Sequence, residues 1–365
     1  MSATVLIAGG GTGGHLFPGM AVAGEMLRAR PGLSLAFVNA GRPLESRVLS
    51  QAGYGQEILP AKAFRGKGIF SRLAALAVVP GAVLRAMGLI RRRRPGLVLA
   101  VGGYAALPLG LAAWLCRVPL AVQEQNALPG LTNRVLGKVA TVAFVAFAAA
   151  TKHFPGGKSE FKGNPVRQEL LEQAEKVERE DPEQRFTVLV LGGSQGARSL
   201  NQAVTGALEL LNDRKERMFF IHQTGEADAD WVRQAYVKAG FASEVAPFFE
   251  QVGTCYGRAH LVLCRSGAGT VTEGLATGRA MVCVPYPYAA GDHQRLNAQA
   301  LLDEGAARLI LDADLTPETA AQAIIELMDN ADQRSAMEAS ARGMARPRAA
   351  VDIAGRCLEL MKEAA

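Results

Sequence analysis

A strand-like run that ends in paired glycines occurs twice in the sequence, once in each half of the chain. The first copy is Thr4–Gly10 (TVLIAGG) and the second is Thr187–Gly193 (TVLVLGG). A short apolar run that ends in glycine is typical of a buried parallel strand whose backbone then turns sharply into a helix. The repetition predicts two similar α/β domains, and 365 residues are enough for each to bury a core of its own.

Short apolar runs alternate with helix-length segments in both halves, which predicts parallel sheets with helices on both faces. A helix is expected over Pro18–Arg30, with its proline in the first turn, and another over Arg348–Ala365. The segment Lys152–Asp181 is rich in glycine, proline and charge and is interpreted as a linker. We therefore expect an α/β fold of two doubly wound domains that face each other across a cleft. The predicted strands are Thr4–Ala8, Ser34–Asn39, Leu97–Val101, Leu120–Gln123, Thr187–Leu191, Met218–Gln223, Leu261–Cys264 and Ala280–Pro285.

The composition narrows the classes of partner. A net charge of +6 and a pI near 9.2 fit nucleic acid, phosphate-bearing small molecules or an anionic membrane surface. Nucleic acid is the weakest of these, because the basic residues lack interleaved aromatics and no helix-turn-helix or zinc-finger pattern occurs. The five cysteines are scattered and include no Cys-x-x-Cys pair, which favours reduced thiols in a cytoplasmic protein. No signal-peptide pattern and no spanning apolar stretch are recognisable, so we expect a chain that does not cross a membrane.

The loop Gly9–His15 follows the first predicted strand and precedes a helix, where glycines and a helix N-terminus favour an anionic ligand. Its glycines also satisfy the dinucleotide pattern G-x-G-x-x-G. A nicotinamide-dependent oxidoreductase would need an acidic ribose ligand after the second strand, and the sequence has Asn39–Arg42 there, which argues against that class. His15 is the titratable residue of the loop, and it could serve as a general base, position the acceptor or cap backbone groups.

Two further small-residue loops follow predicted strands in the second half of the chain. Gly192–Arg198 offers backbone N–H groups and the Ser194 hydroxyl to a departing diphosphate. Arg265–Glu273 again leads from a strand into a helix, and the Glu273 carboxylate could accept two hydrogen bonds from ribose hydroxyls. Gly291–Gln294 (GDHQ) follows downstream. The small-residue turn, Glu273 and this downstream motif together are a more specific sign of a nucleotide-sugar site than any one of them.

Two Asp-x-Asp strings could in principle hold a metal that neutralises a diphosphate. They are Asp228–Asp230 and Asp312–Asp314. Because neither follows a buried strand, both are interpreted as solvated surface carboxylates, and no metal or other cofactor is expected.

The segment Phe64–Arg94 combines aromatic and apolar residues with positive charge, as membrane-surface segments do. Its run Arg91–Arg94 exceeds what a helix C-terminus needs for dipole compensation. We expect this segment to contact anionic lipid headgroups, with Ile69, Phe70, Arg72 and Leu73 in the contact.

Six ordered motifs resemble those of the MurG family, bacterial transferases of glycosyltransferase family 28, and the resemblance spans nearly the whole chain. The motifs are Gly9–His15 with Phe17-Pro18, Gly102–Tyr104, Gln123–Asn126, Gly163–Arg167, Gly192–Arg198 and Arg265–Glu273.

The resemblance implies a fold and a reaction. The fold would be GT-B, with residues 1–163 and a returning C-terminal helix, 347–365, forming the acceptor and membrane domain and residues 164–346 binding UDP-N-acetylglucosamine. The reaction would be an inverting transfer of N-acetylglucosamine to the muramoyl C4 hydroxyl of lipid I, giving lipid II for peptidoglycan at the cytoplasmic face of the inner membrane. It would need no metal.

The resemblance also implies the residues of the site. The donor would be bound by Thr12, Gly13, Gly14, Asn126, Arg167, Ser194, Gln195, Phe249, Ala268, Gly269, Thr270, Val271, Thr272, Glu273 and Gln294. Tyr104 and Asn133 would contact the acceptor. His15 is the first candidate for the base, and Glu124 is the second. The alternatives that share this architecture are a UDP-N-acetylglucosamine 2-epimerase, another lipid glycosyltransferase and a non-catalytic membrane-recruiting subunit.

Overall fold

The described chain divides into two compact units. A computed structural model describes residues 4–10, 13–59, 69–103 and 105–363, and of residues 13, 44 and 69–78 it describes the backbone only. The first unit comprises residues 1–167 and 347–365, and the second comprises residues 168–346. The sequence-based division had the boundary after Gly163.

The first unit contains a parallel sheet of seven strands in the order β3-β2-β1-β4-β5-β6-β7. Its central strands are wholly buried, which is why they consist of apolar runs rather than alternating sequences. The edge strand β3 is partly exposed and more polar. The strands are β1 Thr4–Gly9, β2 Ser34–Asn39, β3 Gly55–Ile58, β4 Leu97–Gly102, β5 Leu120–Glu124, β6 Val142–Val145 and β7 Ser159–Phe161.

Helices cover both faces of this sheet. Along β1, Val5 and Ile7 pack with one helix layer, and Leu6 and Ala8 pack with the other, as the two-residue period of a strand requires. The second layer holds α3, α4 and α5, which pack side by side. The helices are α1 Gly13–Ala29, α2 Pro43–Gln51, α3 Ile69–Arg93, α4 Ala106–Leu115 and α5 Leu131–Gly137, and a 3-10 turn spans Ala148–His153.

The second unit repeats the design with six parallel strands in the order β10-β9-β8-β11-β12-β13. The strands are β8 Phe186–Leu191, β9 Met218–Gln223, β10 Ala242–Ala246, β11 Leu261–Cys264, β12 Ala280–Cys283 and β13 Ala307–Leu309. The helices are α6 Gln168–Glu175, α7 Arg198–Ala207, α8 Ala229–Ala239, α9 Val252–Arg258, α10 Ala268–Ala276, α11 His293–Asp303, α12 Pro317–Asp329 and α13 Ala331–Met344. Short 3-10 turns span Asn212–Arg217, Ala290–Asp292 and Asp312–Asp314.

The C-terminal helix α14, Ala349–Glu363, belongs to the first unit and packs against α1. Its buried residues Ile353, Cys357 and Leu360 join the core on the α1 face of the sheet. Burying such side chains contributes roughly 1.5–3 kcal/mol each, so α14 is an integral part of this unit.

Three predictions of local structure are wrong. Helix α1 begins at Gly13, so Pro18 lies inside the helix and removes one hydrogen bond, to the carbonyl of Gly14, from its second turn. The strand predicted over Ala280–Pro285 ends at Cys283. The predicted linker Lys152–Asp181 contains β7 and α6, and α6 buries Leu170, Leu171 and Ala174. The predicted pair of doubly wound parallel sheets is confirmed.

Candidate functional site

Strands β1, β4 and β5 are neighbours in the first sheet, and their carboxyl ends bring three predicted motifs together. Gly10 follows β1. Gly102 is the last residue of β4 and Gly103 follows it, with φ angles of 112° and 84°. A side chain at Gly103 would overlap the carbonyl group of Gly10. Glycine is therefore required here, because two loop backbones touch at the edge where open α/β sheets bind ligands.

His15 lies in the first turn of α1, half-buried at this edge. Its Nδ1 is 2.9 Å from Oε1 of Gln125, a buried residue just beyond β5. The ring also lies on Gly102, where an added Cβ would come within 3.0–3.1 Å of two ring atoms. The imidazole is thus held from two sides beside a helix N-terminus.

Glu124, the last residue of β5, is buried and accepts hydrogen bonds from four N–H groups. Oε1 accepts from the backbone N–H and the side-chain amide of Asn126, at 2.9 and 3.1 Å. Oε2 accepts from the Gly130 N–H at 3.1 Å and from Asn133 Nδ2 at 2.9 Å. The carboxylate therefore ties together the loop between β5 and α5.

The remaining predicted residues of the first unit lie in varied surroundings. Asn133 is buried on α5 and also donates to the carbonyl of Gln123, so its amide nitrogen serves the same loop. Arg167 places its guanidinium 4.8 Å from the centre of the Phe17 ring on α1. Gly14 is exposed in the first turn of that helix, beside Gly13. Thr12 and Tyr104 lie outside the described residues, as do the side chains of Ile69, Phe70, Arg72 and Leu73.

In the second unit, helices α7 and α10 begin at the carboxyl ends of β8 and β11. Their N-cap residues are Ala197 and Gly267, whose side chains carry no hydrogen-bonding group. Helix N-termini of this kind attract anions through their N–H groups and dipoles. Ser194 and Gln195 are exposed in the loop before α7. The predicted nucleotide residues Ala268, Gly269, Thr270, Val271, Thr272 and Glu273 form the first turns of α10.

Two hydrogen bonds orient the polar residues predicted to hold the sugars. The hydroxyl of buried Tyr256 donates to Oε2 of Glu273, at 3.2 Å. Burial, followed by the charge of Glu273, raises the pKa of Tyr256 well above its ordinary value, so this hydroxyl stays a donor. On α11, Oε1 of Gln294 accepts the Tyr286 N–H at 2.9 Å, which directs its amide nitrogen away from that contact.

Gln223, at the end of β9, joins two predicted donor segments. Its Nε2 donates to the Gly193 carbonyl at 3.1 Å, and its Oε1 accepts the Phe249 N–H at 3.1 Å. The loop before α7 and the segment after β10 are therefore held to one side chain. Because the N–H of Phe249 is already donated to Gln223, a backbone contact from Phe249 to a base would fall to its carbonyl oxygen.

The interpretation of both Asp-x-Asp strings as solvated is wrong for the first aspartate of each. Asp228 is buried and accepts from Asn201 Nδ2 and Trp231 Nε1, both at 2.9 Å. Asp312 pairs with the buried guanidinium of Arg265 at 2.6 Å. Residue order gave little sign of this, because Asn201 and Arg265 are far away in sequence from the aspartates that they contact.

Asp312 and Arg265 also share a third partner. The Ser199 hydroxyl on α7 accepts from Arg265 Nη2 at 2.7 Å and donates to Asp312 at 2.8 Å. This triad connects the start of α7 to the strand end before α10, so it fixes the two helix N-termini relative to each other. Within the described parts of the chain, no group of three or more His, Cys, Asp or Glu side chains could hold a metal ion.

Sequence reasoning missed Gln125, Gln223, Tyr256, Ser199 and Asp312, all of which hold predicted site residues. Only the two glutamines left a signal, because each stands at the carboxyl end of an apolar strand, where a polar side chain enters the binding edge. Tyr256 lies on α9, and nothing in its own sequence neighbourhood marks it as a partner of Glu273.

The comparisons with known protein families match both halves of the chain. Residues 5–145 match the N-terminal domain of glycosyltransferase family 28, and residues 187–353 match the C-terminal domain of the same family.

Curated relatives match over nearly their whole lengths. A protein of Myxococcus xanthus named UDP-N-acetylglucosamine–N-acetylmuramyl-(pentapeptide) pyrophosphoryl-undecaprenol N-acetylglucosamine transferase is 43% identical, over 98% of this chain and 93% of its own. A protein of Trichlorobacter lovleyi with the same name is 39% identical, over 97% of both chains.

Solved structures show the same fold. The crystal structure of Acinetobacter baumannii MurG superposes with a TM-score of 0.79 at 30% identity, covering 98% of this chain and 100% of that one. A UDP-N-acetylglucosamine 2-epimerase of Neisseria meningitidis, bound to UDP-N-acetylglucosamine, has a TM-score of 0.68 at 14% identity, with 98% and 100% covered. At that identity the epimerase is similar in fold alone.

Proposed function

This chain belongs to glycosyltransferase family 28, and we propose that it transfers N-acetylglucosamine from UDP-N-acetylglucosamine to the muramoyl C4 hydroxyl of lipid I. The observation that carries the proposal is the identity of about 40% with relatives named for this transfer, along almost the entire chain. The 2-epimerases share the fold at far lower identity. The product would be lipid II, the disaccharide precursor of peptidoglycan.

We assign donor binding to the second unit. The N-termini of α7 and α10 suit a diphosphate, because their first N–H groups and helix dipoles favour negative charge. Glu273, oriented by Tyr256, would accept hydrogen bonds from the ribose hydroxyls. The Gln294 amide nitrogen would donate to the donor sugar, and the Phe249 carbonyl would accept the N–H of uracil.

We assign proton removal to His15. In the proposed step, the acceptor C4 oxygen forms a bond to C1 of the donor sugar as the bond from C1 to the phosphate oxygen breaks. The hydroxyl proton passes to the His15 ring, and UDP leaves with the bonding electron pair, which inverts the anomeric centre. Glu124 is the poorer candidate for the base, because four N–H groups already occupy its two oxygens. We assign it to holding the loop that carries Asn126.

We further propose that the first unit docks on an anionic membrane. Helices α3, α4 and α5 pack side by side and expose large apolar side chains, Leu84, Trp114 and Leu131. Exposed arginines accompany them, among them Arg117 and Arg134. Apolar groups ringed by positive charge suit the interface of an anionic bilayer. No helix in the described ranges is long and apolar enough to cross a membrane.

The decisive experiment incubates the full chain with UDP-N-acetylglucosamine and a short-chain lipid I analogue, and follows UDP release and product mass. We expect UDP release only with the acceptor, and a product heavier by one N-acetylhexosamine. Formation of UDP-N-acetylmannosamine without acceptor would identify an epimerase instead, and transfer to diacylglycerol would identify another lipid transferase. In His15→Asn, turnover should fall by about 10²–10⁴-fold, while donor affinity measured by calorimetry stays unchanged.

A further inference from the structure

The residue that faces the His15 ring is an amide rather than a carboxylate. Gln125 is buried, and its Oε1 lies 2.9 Å from His15 Nδ1. An amide oxygen accepts a hydrogen bond and an amide nitrogen donates two, so the identity of the atom facing the ring decides which ring nitrogen carries the proton.

The surroundings of Gln125 fix the orientation of its amide. Nε2 donates to the Val101 carbonyl at 2.7 Å and to the Gln123 carbonyl at 3.0 Å, and it also contacts the side-chain oxygen of Gln123. Backbone carbonyls only accept hydrogen bonds. A flipped amide would set its oxygen against the carbonyl oxygens of Val101 and Gln123, where acceptors repel each other, and would take from both carbonyls the donor that Nε2 supplies. The oxygen must therefore face His15.

We propose that Gln125 is a positioning residue that holds neutral His15 in the tautomer with hydrogen on Nδ1. The lone pair then lies on Nε2, the nitrogen turned away from Gln125, which takes the proton of the acceptor hydroxyl. An unrestrained neutral histidine favours the opposite tautomer, so the preference must come from the site. This inference rests on the proposed function, in which His15 is the base.

Gly102 also restricts the position of the His15 ring. An added Cβ at this position, where φ is 112°, would come within 3.0–3.1 Å of His15 Nδ1 and Cε1, so the ring lies against the glycine backbone. Gln125 thus sets the rotation of the ring and the nitrogen that carries its hydrogen, and Gly102 sets how closely the ring approaches β4. When Nε2 gains a proton, the hydrogen on Nδ1 stays bonded to Gln125 Oε1.

The tautomer can be measured without any turnover. The full chain is labelled with ¹⁵N-histidine, and the His15 signals are assigned by their loss in His15→Asn. With His15 in its neutral form, we expect Nδ1 at the chemical shift of a protonated nitrogen and Nε2 at that of an unprotonated one. The reverse pattern in the wild-type protein would overturn the inference, even if Gln125→Met failed to fold.

Gln125→Met keeps the side-chain length and removes the acceptor. We expect mixed tautomers, a kcat about ten- to a hundredfold lower and an unchanged affinity for UDP-N-acetylglucosamine, since losing the correct tautomer of a catalytic histidine acts on the chemical step. Gln56→Met is the matched control. Gln56 is a partly buried glutamine of the same unit that bonds Asn39, Ser46 and Ser50, so its loss should alter neither the tautomer nor kcat.

The outcomes distinguish a failure of the role proposed for Gln125 from a failure of the assignment of His15 as the base. If Gln125→Met keeps the wild-type tautomer, Gln125 does not set it and the inference is wrong. If the tautomer follows Gln125 but His15→Asn retains normal turnover, the inference stands and the assignment of His15 as the base is wrong.

Discussion

Glu273 is the residue on which donor recognition depends most in this proposal. It lies in the second turn of α10 and receives a hydrogen bond from the Tyr256 hydroxyl. The same hydroxyl lies 3.2 Å from the carbonyl oxygen of Thr270 on this helix. The carboxylate is therefore anchored at one oxygen to a rigid part of the unit, which reduces the entropy lost when it binds a ribose.

We expect Glu273→Ala to weaken binding of UDP-N-acetylglucosamine about ten- to a hundredfold, because hydrogen bonds to a charged group contribute about 1.5–3 kcal/mol. Isothermal titration calorimetry measures the change. Tyr256→Phe should weaken binding less, since it removes only the anchor. Glu209→Ala, the same substitution at an exposed position on the surface, is the control. Equal affinities for Glu273→Ala and Glu209→Ala would remove Glu273 from the donor site.

The residues that sequence alone could predict are those whose role depends on their own loop. Ser194 stands in one small-residue loop between a strand and a helix, and Glu273 lies in the helix that follows another, a local pattern with a physical meaning. Asp312 could not be understood in this way. Its partner Arg265 lies in another element, and only the fold brings the two charges to 2.6 Å.

At the scale of elements, most central strands were predictable and edge strands were not, although the buried interior strand β6 was also missed. A strand buried on both faces is apolar along most of its length, as β4 and β8 are. Strands β3 and β10 are partly exposed, so their sequences carry no such signal. The start of α1 was missed because Pro18 looked like a first-turn residue, whereas two glycines precede it within the helix.

The three helices α3, α4 and α5 form the element-scale surface to be tested. Replacing Leu84, Trp114 and Leu131 together by serine should lower the fraction of protein that floats with anionic vesicles several-fold, because it removes the apolar side chains that would enter the bilayer. Turnover on a soluble short-chain acceptor should not change.

A matched variant is available in the other unit. Leu210, Val237 and Leu302 are also large, apolar and exposed there. Serine at these three positions should leave flotation intact. If both triple variants float like the wild type, the membrane contact lies elsewhere, for instance among Ile69, Phe70, Arg72 and Leu73.

At the scale of the whole molecule, the second unit carries two buried histidines that oppose protonation. Burial lowers the pKa of His222 from 6.5 to about 3 and that of His260 from 6.5 to about 4. Both rings are fully used: His222 contacts Tyr236 and Asn201, and His260 accepts the Thr187 N–H and contacts the Glu180 carbonyl. In their neutral form, the two histidines connect these polar groups inside the second unit.

These shifts predict how stability depends on pH. Unfolded, each histidine titrates near 6.5, so below that pH the unfolded chain binds protons that the folded unit does not. The contribution of the neutral histidines is fully present above pH 6.5 and is lost as the pH falls from 6.5 toward 4. Where both histidines are charged in the unfolded chain, the slope approaches about 2.7 kcal/mol per pH unit for the two together.

The measurement can be confined to the second unit, because each unit has one tryptophan, Trp114 in the first and Trp231 in the second. In a Trp114→Phe protein, urea unfolding followed by Trp231 fluorescence should show a free energy of unfolding that declines from pH 6.5 to pH 5. His260→Asn, which can replace the ring's hydrogen bonds without titrating, should remove about half of that decline. Asparagine differs from histidine here chiefly because it does not titrate between pH 6.5 and pH 5. If the free energy of unfolding declines equally with pH in both proteins, burial does not keep His260 unprotonated.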